Sequence, residues 1–222
     1  MKRFILFILM MCCSFVAMSQ DTLSFKHSFR LLMNGANPTG EFNHTAFEDD
    51  YPDFALEGTL VTASYLRQLN TFISVGPTIH YRKNGYDLDE FVSSSDELVI
   101  NRDAAPWRSW FTMAEMYLHT RNNGTGNFYL RGSAGASFNK SAQVNIGTTY
   151  GDITLPADNA SAFAWGIGVG VQGTMKNVGI LIELTQLSTS PTFLGKDPLG
   201  NAMKYKQPMN TINVGVGVSY GF

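Results

Sequence analysis

The C-terminal end of the chain alternates strictly between apolar and small or polar side chains. Even positions from Ile212 to Phe222 carry Ile, Val, Tyr or Phe, whereas odd positions from Thr211 to Gly221 carry Thr, Asn, Gly or Ser. Because successive side chains of a β-strand point to opposite faces, this period of two predicts a strand with one apolar face and one small or polar face. The apolar face must then be covered by a core or by lipid.

The same alternation recurs upstream, clearly from Phe128 to Phe138 and from Phe163 to Gln172, and less regularly before them. No helical period of useful length lies between the alternating segments. The pattern predicts eight strands in a chain of 222 residues, whose length suits one domain. Their expected positions are about 24–34, 54–69, 71–83, 109–121, 127–139, 162–175, 177–188 and 209–222.

The connections between these segments are alternately long and short. Four are long, at 35–53, 84–108, 140–161 and 189–208, and three are short, at 70, 122–126 and 176. Tight turns on one side and long loops on the other are typical of outer-membrane barrels. The expected fold class is therefore all-β: an eight-stranded antiparallel up-and-down transmembrane β-barrel with long extracellular loops and short periplasmic turns.

A secreted lipocalin-like barrel is the soluble alternative, and it would point its apolar residues inward around a ligand. The faces opposite the apolar ones carry Glu115, Arg131 and Glu183, which a soluble core would bury only at high cost. The membrane barrel is therefore favoured. Only 15% of the residues are charged, and the formal net charge is −2, so no basic surface indicates nucleic acid as a partner.

The N-terminus predicts a signal peptide over residues 1–19. Lys2 and Arg3 precede the apolar run 4–11, and Ala17-Met18-Ser19 offers a small-x-small cleavage site before Gln20. A transmembrane anchor is the alternative, but the apolar stretch is short for a span. Lipoprotein processing at Cys12-Cys13 is disfavoured by the bulky residues before it. The expected mature domain, 20–222, has no cysteine, and its expected location is the outer membrane.

A set of ionisable residues is expected on the inner, lumen-facing side of the barrel. Its functional interpretation is a proton or ion path or a small polar site, and its structural interpretation is a salt-bridged plug. We favour the plug because an eight-stranded barrel has room only for its own side chains. The set consists of Arg30, Glu57, Arg67, His80, Arg82, Glu115, His119, Arg131 and Glu183.

Other candidate sites are weaker. The acidic runs 48–50 and 87–90 offer carboxylates to calcium but lack the order of an EF-hand loop. His27-Ser28 is the nearest pair for a lipid-modifying barrel enzyme, but adjacent strand residues face opposite sides. The four histidines show no metal-ligand spacing. We therefore expect no enzyme activity, metal or cofactor.

Two positions fit the strand pattern poorly. Pro77 lacks a backbone donor, which predicts a bulge or irregular pairing, and His27 falls on the apolar face, where a position near the membrane interface is expected.

The second long connection, 84–108, is too long to be a simple connector. It is expected either to dock a protein partner or to fold back over the barrel mouth. Its apolar residues are Tyr86, Phe91, Val92, Leu98, Val99, Ile100 and Trp107.

In size, strand number and long second loop, the chain resembles the PorT-like outer-membrane β-barrel proteins of the Bacteroidetes group. The resemblance covers residues 20–222 and implies that the C-terminal strand is a barrel-assembly signal. It also implies the barrel-insertion machinery and outer-membrane lipids as partners, and the family's named member is implicated in protein secretion and gliding. The residues of the implied signal are Val214, Val216, Val218, Tyr220 and Phe222.

The function expected from the sequence is thus a structural or interaction role at the cell surface or in secretion-related assembly, without a wide pore. A barrel that binds or transports a small molecule or ion is the alternative. A lipid-modifying barrel enzyme is less favoured.

Overall fold

A computed structural model describes residues 26–45, 53–92, 97–120, 126–196 and 202–222. The predicted signal peptide and its cleavage site lie outside these ranges. The eight barrel strands are β1 (His27–Thr39), β2 (Ala55–Gln68), β3 (Ile73–Tyr86), β5 (Trp107–His119), β6 (Gly126–Lys140), β9 (Asn159–Met175), β10 (Val178–Thr189) and β13 (Asn210–Gly221). The loops add η1 (Gly40–Asn43), α1 (Leu88–Phe91), β4 (Val99–Ala105), β7 (Gln143–Thr148), β8 (Gly151–Leu155), β11 (Thr192–Lys196) and β12 (Ala202–Lys206).

The eight long strands form a closed barrel in the order β1-β13-β10-β9-β6-β5-β3-β2. Every neighbouring pair is antiparallel, and the first strand closes on the last, with Phe29 opposite Tyr220 and Met33 opposite Val216. Closure leaves no unpaired strand edge in the wall of the barrel. The predicted fold class is confirmed as a closed antiparallel eight-stranded barrel, and the long connections all lie at one end of it. Among the described residues, no helix is long and apolar enough to cross a membrane.

An apolar band surrounds the barrel on its outer face. Near the short turns, which we call the turn side, it ends in a row of aromatic residues that includes Phe29, Tyr65, Phe128 and Phe222. On the loop side it ends in Tyr81, Trp110, Phe138, Phe163 and Trp165. From Phe128 to Phe138 the tilted strand rises roughly 25 Å, which matches the apolar band of an outer-membrane barrel.

The face prediction for β2 is wrong. Glu57 and Arg67 were expected to face the lumen, yet both are exposed outside it, and Leu60 and Leu66 are buried in the lumen instead. The reason is that the outward positions of β2 are Val61, Ala63 and Tyr65, while its inward positions alternate Leu with Thr and Ser. A register shift between Ala55 and Gly58 further obscures the period.

The expected irregularity at Pro77 appears as an interruption of pairing and not as a bulge. β2 and β3 pair at Ser64–Thr78 and again at Arg67–Val75 in the same register, and no pair joins them in between. The neighbouring Gly76 permits a close approach, since a Cβ there would lie 1.8 Å from the Tyr65 carbonyl oxygen. His27 lies at the turn-side end as expected, with its Nδ1 2.7 Å from the Tyr65 hydroxyl.

The long loops have regular structure that the sequence pattern did not reveal. β4 from the second loop pairs with β7 from the third, and β7 with β8, so that the two loops form one three-stranded sheet. β11 and β12 form a hairpin in the fourth loop. The alternating stretches in these loops are too short for the sequence pattern to distinguish a strand from an irregular loop.

Two glycines of β6 provide a matched test of the wall. A Cβ at Gly135 would lie 2.2 Å from the Thr112 carbonyl oxygen, whereas a Cβ at Gly132 would meet nothing within 4 Å. We expect Gly135→Ala to lower the free energy of unfolding by about 1–3 kcal/mol because the backbone of β5 must shift, and Gly132→Ala to leave it nearly unchanged. Equilibrium unfolding in urea measures both, and equal effects would contradict this register.

Candidate functional site

The centre of the lumen holds a compact group of charged side chains around Arg131. Its Nη1 donates to Glu183 Oε1 at 2.5 Å, and its Nη2 forms an ion pair with Glu115. Nη2 also lies 3.1 Å from His80 Nε2. All four side chains are buried, and the one arginine contacts both carboxylates. We call these four residues the central ion cluster.

The central ion cluster is surrounded by hydroxyl donors. Ser64 and Tyr117 donate to Glu115 Oε2 at 2.9 and 3.1 Å, and Tyr129 donates to Glu183 Oε2 at 3.0 Å. Hydrogen bonds of this kind offset the desolvation of buried carboxylates. Both carboxylates of the cluster therefore accept hydrogen bonds from hydroxyl groups of neighbouring side chains.

The histidine of the cluster is neutral in this arrangement. A guanidinium group can only donate, so His80 Nε2 accepts from Arg131 and carries no proton. The proton of the ring is then on Nδ1, which lies 2.8 Å from Thr62 Oγ1 and donates to it. His80 thus serves as an acceptor for the arginine.

Inward glycines of β9 make room for the cluster. A Cβ at Gly170 would lie 2.4 Å from the hydroxyl oxygen of Tyr129, which donates to Glu183. A Cβ at Gly168 would lie 2.4 Å from Thr185. The alternate glycines of this strand therefore leave room for Tyr129 of β6 and Thr185 of β10, as expected for a narrow barrel.

Apolar layers close the lumen on both sides of the central ion cluster. On the turn side lies one layer of five buried residues, Leu32, Leu66, Tyr117, Tyr129 and Leu181. On the loop side lies another, Ala36, Leu60, Phe111, Met113, Ala164 and Leu187. A cavity of about 10 Å³ beside His80 and Arg131 holds at most one water molecule.

A larger depression, of about 680 Å³, lies at the wall of the barrel. Leu118, Leu130, Val169, Leu184 and Val214 contribute to its lining, and these residues form one lateral row of the outer apolar band. It is therefore part of the surface that we assign to lipid contact and not a chamber of the lumen.

Two further arginines of the predicted set lie apart from the cluster. Arg30, near the turn side, donates to Gln172 at 2.8 Å and stacks over Tyr117, 4.3 Å from the ring centre. Arg82, near the loop side, donates to the Met209 carbonyl at 3.1 Å and to the Ser109 hydroxyl at 3.3 Å.

The predicted set is therefore divided among several places in the structure. His80, Glu115, Arg131 and Glu183 meet in the central ion cluster. His119 is half-buried on the turn side, where its Nε2 lies 3.0 Å from Ser74 Oγ. Arg30 and Arg82 form separate contacts, and Glu57 and Arg67 lie outside the lumen.

Several partners of the cluster were missed by the sequence analysis. Tyr117 and Tyr129 occupy inward positions two residues from Glu115 and Arg131, so the strand period alone places them beside those charges. Thr62 and Ser64 were missed because the two faces of β2 were assigned the wrong way round.

A cap of aromatic and apolar residues closes the loop-side mouth. Trp107 packs against Phe42 and Phe193, with ring centres 5.7 and 6.1 Å apart, and Met209 joins them. The Trp107 indole donates to the Asp53 carbonyl at 3.1 Å, and the Asp53 carboxylate accepts from Gln207. The first, second and fourth loops thus meet over the mouth.

Part of the loop 84–108 folds back over the barrel mouth, and docking of a protein partner stays a prediction. Trp107 is buried in the cap, and Tyr86 and Phe91 pack against Phe54, with ring centres 5.7 and 5.3 Å apart. Ile100 and Leu98 remain exposed on or beside β4.

The acidic run 87–90 is engaged within its own loop. Asp87 accepts from the Glu90 backbone at the start of α1, and Asp89 pairs with Arg102. The acidic run 48–50 lies outside the described residues. Within the described ranges, no group of three or more His, Cys, Asp or Glu residues could hold a metal ion.

No family model matches the chain, and no curated protein matches it. In structure it is similar to the surface protein NspA of Neisseria, with a TM-score of 0.52 and 11% identity over 89% of this chain and 97% of that one. It is also similar to a major outer membrane protein of Thermus thermophilus, with a TM-score of 0.50 and 12% identity over 88% and 99%. At these identities the shared feature is the fold, the closed eight-stranded barrel used by outer-membrane proteins.

Proposed function

We propose that this chain is an outer-membrane protein whose sealed barrel anchors a structured set of loops at the cell surface, where they contact a protein partner. The sheet β4-β7-β8 carries the proposal. The sheet and its β7–β8 turn, which we call the loop sheet, expose large apolar side chains, among them Ile100 at 71%, Ile153 at 53% and, in the turn, Tyr150 at 88%. Exposed apolar residues on loops held by a rigid scaffold are typical of recognition surfaces.

The barrel supports a role as an anchor. Its apolar band has the height of a hydrocarbon layer, and its lumen is filled by the central ion cluster between two apolar layers. We therefore propose that the barrel neither conducts ions nor catalyses a reaction. His27 and Ser28 point to opposite faces of β1, and His27 bonds to Tyr65.

Membership of the PorT-like group, with a role in secretion-related assembly, is the finer form of this proposal. The outward-facing Val214, Val216, Val218, Tyr220 and Phe222 are exposed in a single row, as recognition by an insertion machinery would require.

The test is photo-crosslinking in cells through a crosslinking residue placed at Tyr150, in the turn between β7 and β8. A matched control places it at Met175, which is also exposed but lies on the turn side. We expect a discrete protein adduct from Tyr150 in intact cells and a different pattern from Met175. The purified protein should give no stepwise conductance in a planar bilayer. Conductance steps, or the absence of any adduct specific to Tyr150, would contradict the proposal.

A further inference from the structure

A row of three basic residues crosses the outer face of the barrel just beyond its loop-side aromatic residues. Lys83 of β3 lies directly opposite Arg108 of β5, and Arg108 lies directly opposite Lys140 of β6. All three are exposed. Directly opposed residues on antiparallel strands have Cβ atoms about 5 Å apart, and like charges in such positions repel one another. This arrangement needs a counter-charge.

The described part of the chain provides none in contact. Among the described residues, no ion pair involves Lys83, Arg108 or Lys140. The row continues laterally into Thr59 on β2 and Asn159 on β9, which are both neutral. Glu57, two residues from Thr59, is the nearest carboxylate along that strand. The anion that neutralises the row therefore comes from outside the barrel wall.

The position of the row indicates what that anion belongs to. Two residues nearer the membrane on each strand stand Tyr81, Trp110 and Phe138, which are also paired laterally. The Tyr81 and Trp110 rings are 4.7 Å apart. Aromatic residues of this kind mark the interface between hydrocarbon and headgroups. The basic row lies about 5 Å farther out along the axis of the tilted barrel, at the level of the headgroups.

The other side of the barrel has no such row. Near the loop-side ends of β1, β10 and β13, the outward positions are Asn37, Ser188 and Asn210. They are neutral and engage neighbours, with Asn37 donating to the Ile212 carbonyl and Ser188 to Asn210. The positive charge at this level is thus concentrated on three adjacent strands. A binding site for an anion needs such a cluster, whereas charges that only keep a protein soluble do not need to be clustered.

We propose that Lys83, Arg108 and Lys140 bind the phosphate groups of an outer-leaflet glycolipid whose acyl chains lie along the aromatic and apolar face below. An arginine flanked by two lysines suits phosphate oxygens, since guanidinium binds them in pairs and ammonium supplies point charges. The row spans roughly 10 Å across two strand spacings, so it can engage more than one phosphate of the same headgroup. The inference rests on the proposed outer-membrane orientation, with the loops facing outward.

The test uses the full mature chain in phosphatidylcholine vesicles containing bisphosphorylated lipid A. The comparison lipids are the same lipid A without phosphates and phosphatidylglycerol. The variant Lys83→Gln/Arg108→Gln/Lys140→Gln removes the row. The control Lys26→Gln/Arg67→Gln/Lys176→Gln removes three exposed cations from the turn side. Lipid retained by the protein and its dependence on salt are measured.

We expect the native chain and the control to retain phosphorylated lipid A preferentially, and the row variant to bind it at least about tenfold more weakly. Inorganic phosphate at millimolar concentration should not displace the lipid. Equal binding by the row variant, or equal binding of dephosphorylated lipid A by the native chain, would overturn the inference. Arg108→Gln alone should weaken binding in the same direction.

Failure of the inference can be separated from failure of the proposed function by a gel shift on boiling for each protein. If every variant inserts and shows the gel shift, but removal of the phosphates from lipid A does not change binding, the lipid site is wrong and the proposed role as an anchor is unaffected. If the native chain does not insert, the outer-membrane proposal is wrong, and the lipid site with it.

Discussion

Replacing Arg131 with alanine should lower the free energy of unfolding by about 3–5 kcal/mol, because Glu115 and Glu183 would remain buried without their cation. Tyr129, Tyr117 and Ser64 would still donate to these carboxylates, but hydroxyl groups do not neutralise charge. Urea unfolding in lipid vesicles, followed by the fluorescence of the three tryptophans, measures the loss. Such a loss is large compared with the stability of a small domain.

The matched control is Arg67→Ala, which removes the same side chain from an exposed position. It should change the free energy of unfolding by less than about 0.5 kcal/mol. A second variant replaces the whole group with uncharged residues of similar size, Glu115→Gln/Arg131→Met/Glu183→Gln. Because no buried charge is left uncompensated, it should recover most of the stability. If Arg131→Ala folded normally and conducted ions, the cluster would be a conduction path and not a plug.

Placing an arginine at Val216 should cost about 2–4 kcal/mol of unfolding free energy in vesicles, because this position lies near the middle of the apolar band. Val216 is opposite Met33 on one side and Ile182 on the other, and all three are exposed outside the barrel. A guanidinium there would be surrounded by hydrocarbon. The measurement is again urea unfolding in vesicles, with the unboiled gel mobility as a check on folding.

Ile153→Arg provides the comparison for this second prediction. Ile153 is an equally apolar and exposed residue, but it lies on β8 in the loop sheet, in water under this account. Its replacement should be nearly neutral. Equal and small effects at Val216 and Ile153 would mean that the outer face of the barrel is not in contact with lipid.

The sequence predicted the barrel because the period of two survives wherever one face meets lipid. On β13 and β9 the outward face is apolar and the inward face small or polar, so both faces were assigned correctly. On β2 the lumen itself receives Leu60 and Leu66, which complete the two apolar layers beside the central ion cluster. A strand with apolar residues on both faces has no clear alternation, and Glu57 and Arg67 were misplaced as a result.

The grouping of the charged residues was predictable only in part. The alternation of inward and outward positions places Arg131, Glu115 and Glu183 in the lumen, but it does not give their height along the barrel axis. Height depends on register, which the alternation leaves open in steps of two residues. Arg30, Arg82 and the central ion cluster were therefore expected to form one network, whereas apolar layers separate them. The pairing of β4 with β7 was likewise beyond the reach of local patterns, because it joins two different loops.

The most direct test of the central claim, a sealed barrel with its alternate face in lipid, is the accessibility of spin labels along β13. The chain has cysteines only at Cys12 and Cys13, in the predicted signal peptide, so single cysteines can be placed at Val214, Val216 and Val218 of the mature protein. In vesicles all three labels should be relaxed by oxygen and shielded from a water-soluble nickel complex, whereas a label at Tyr150 should be exposed to nickel. Ready access of nickel to Val214, Val216 and Val218 would contradict the account.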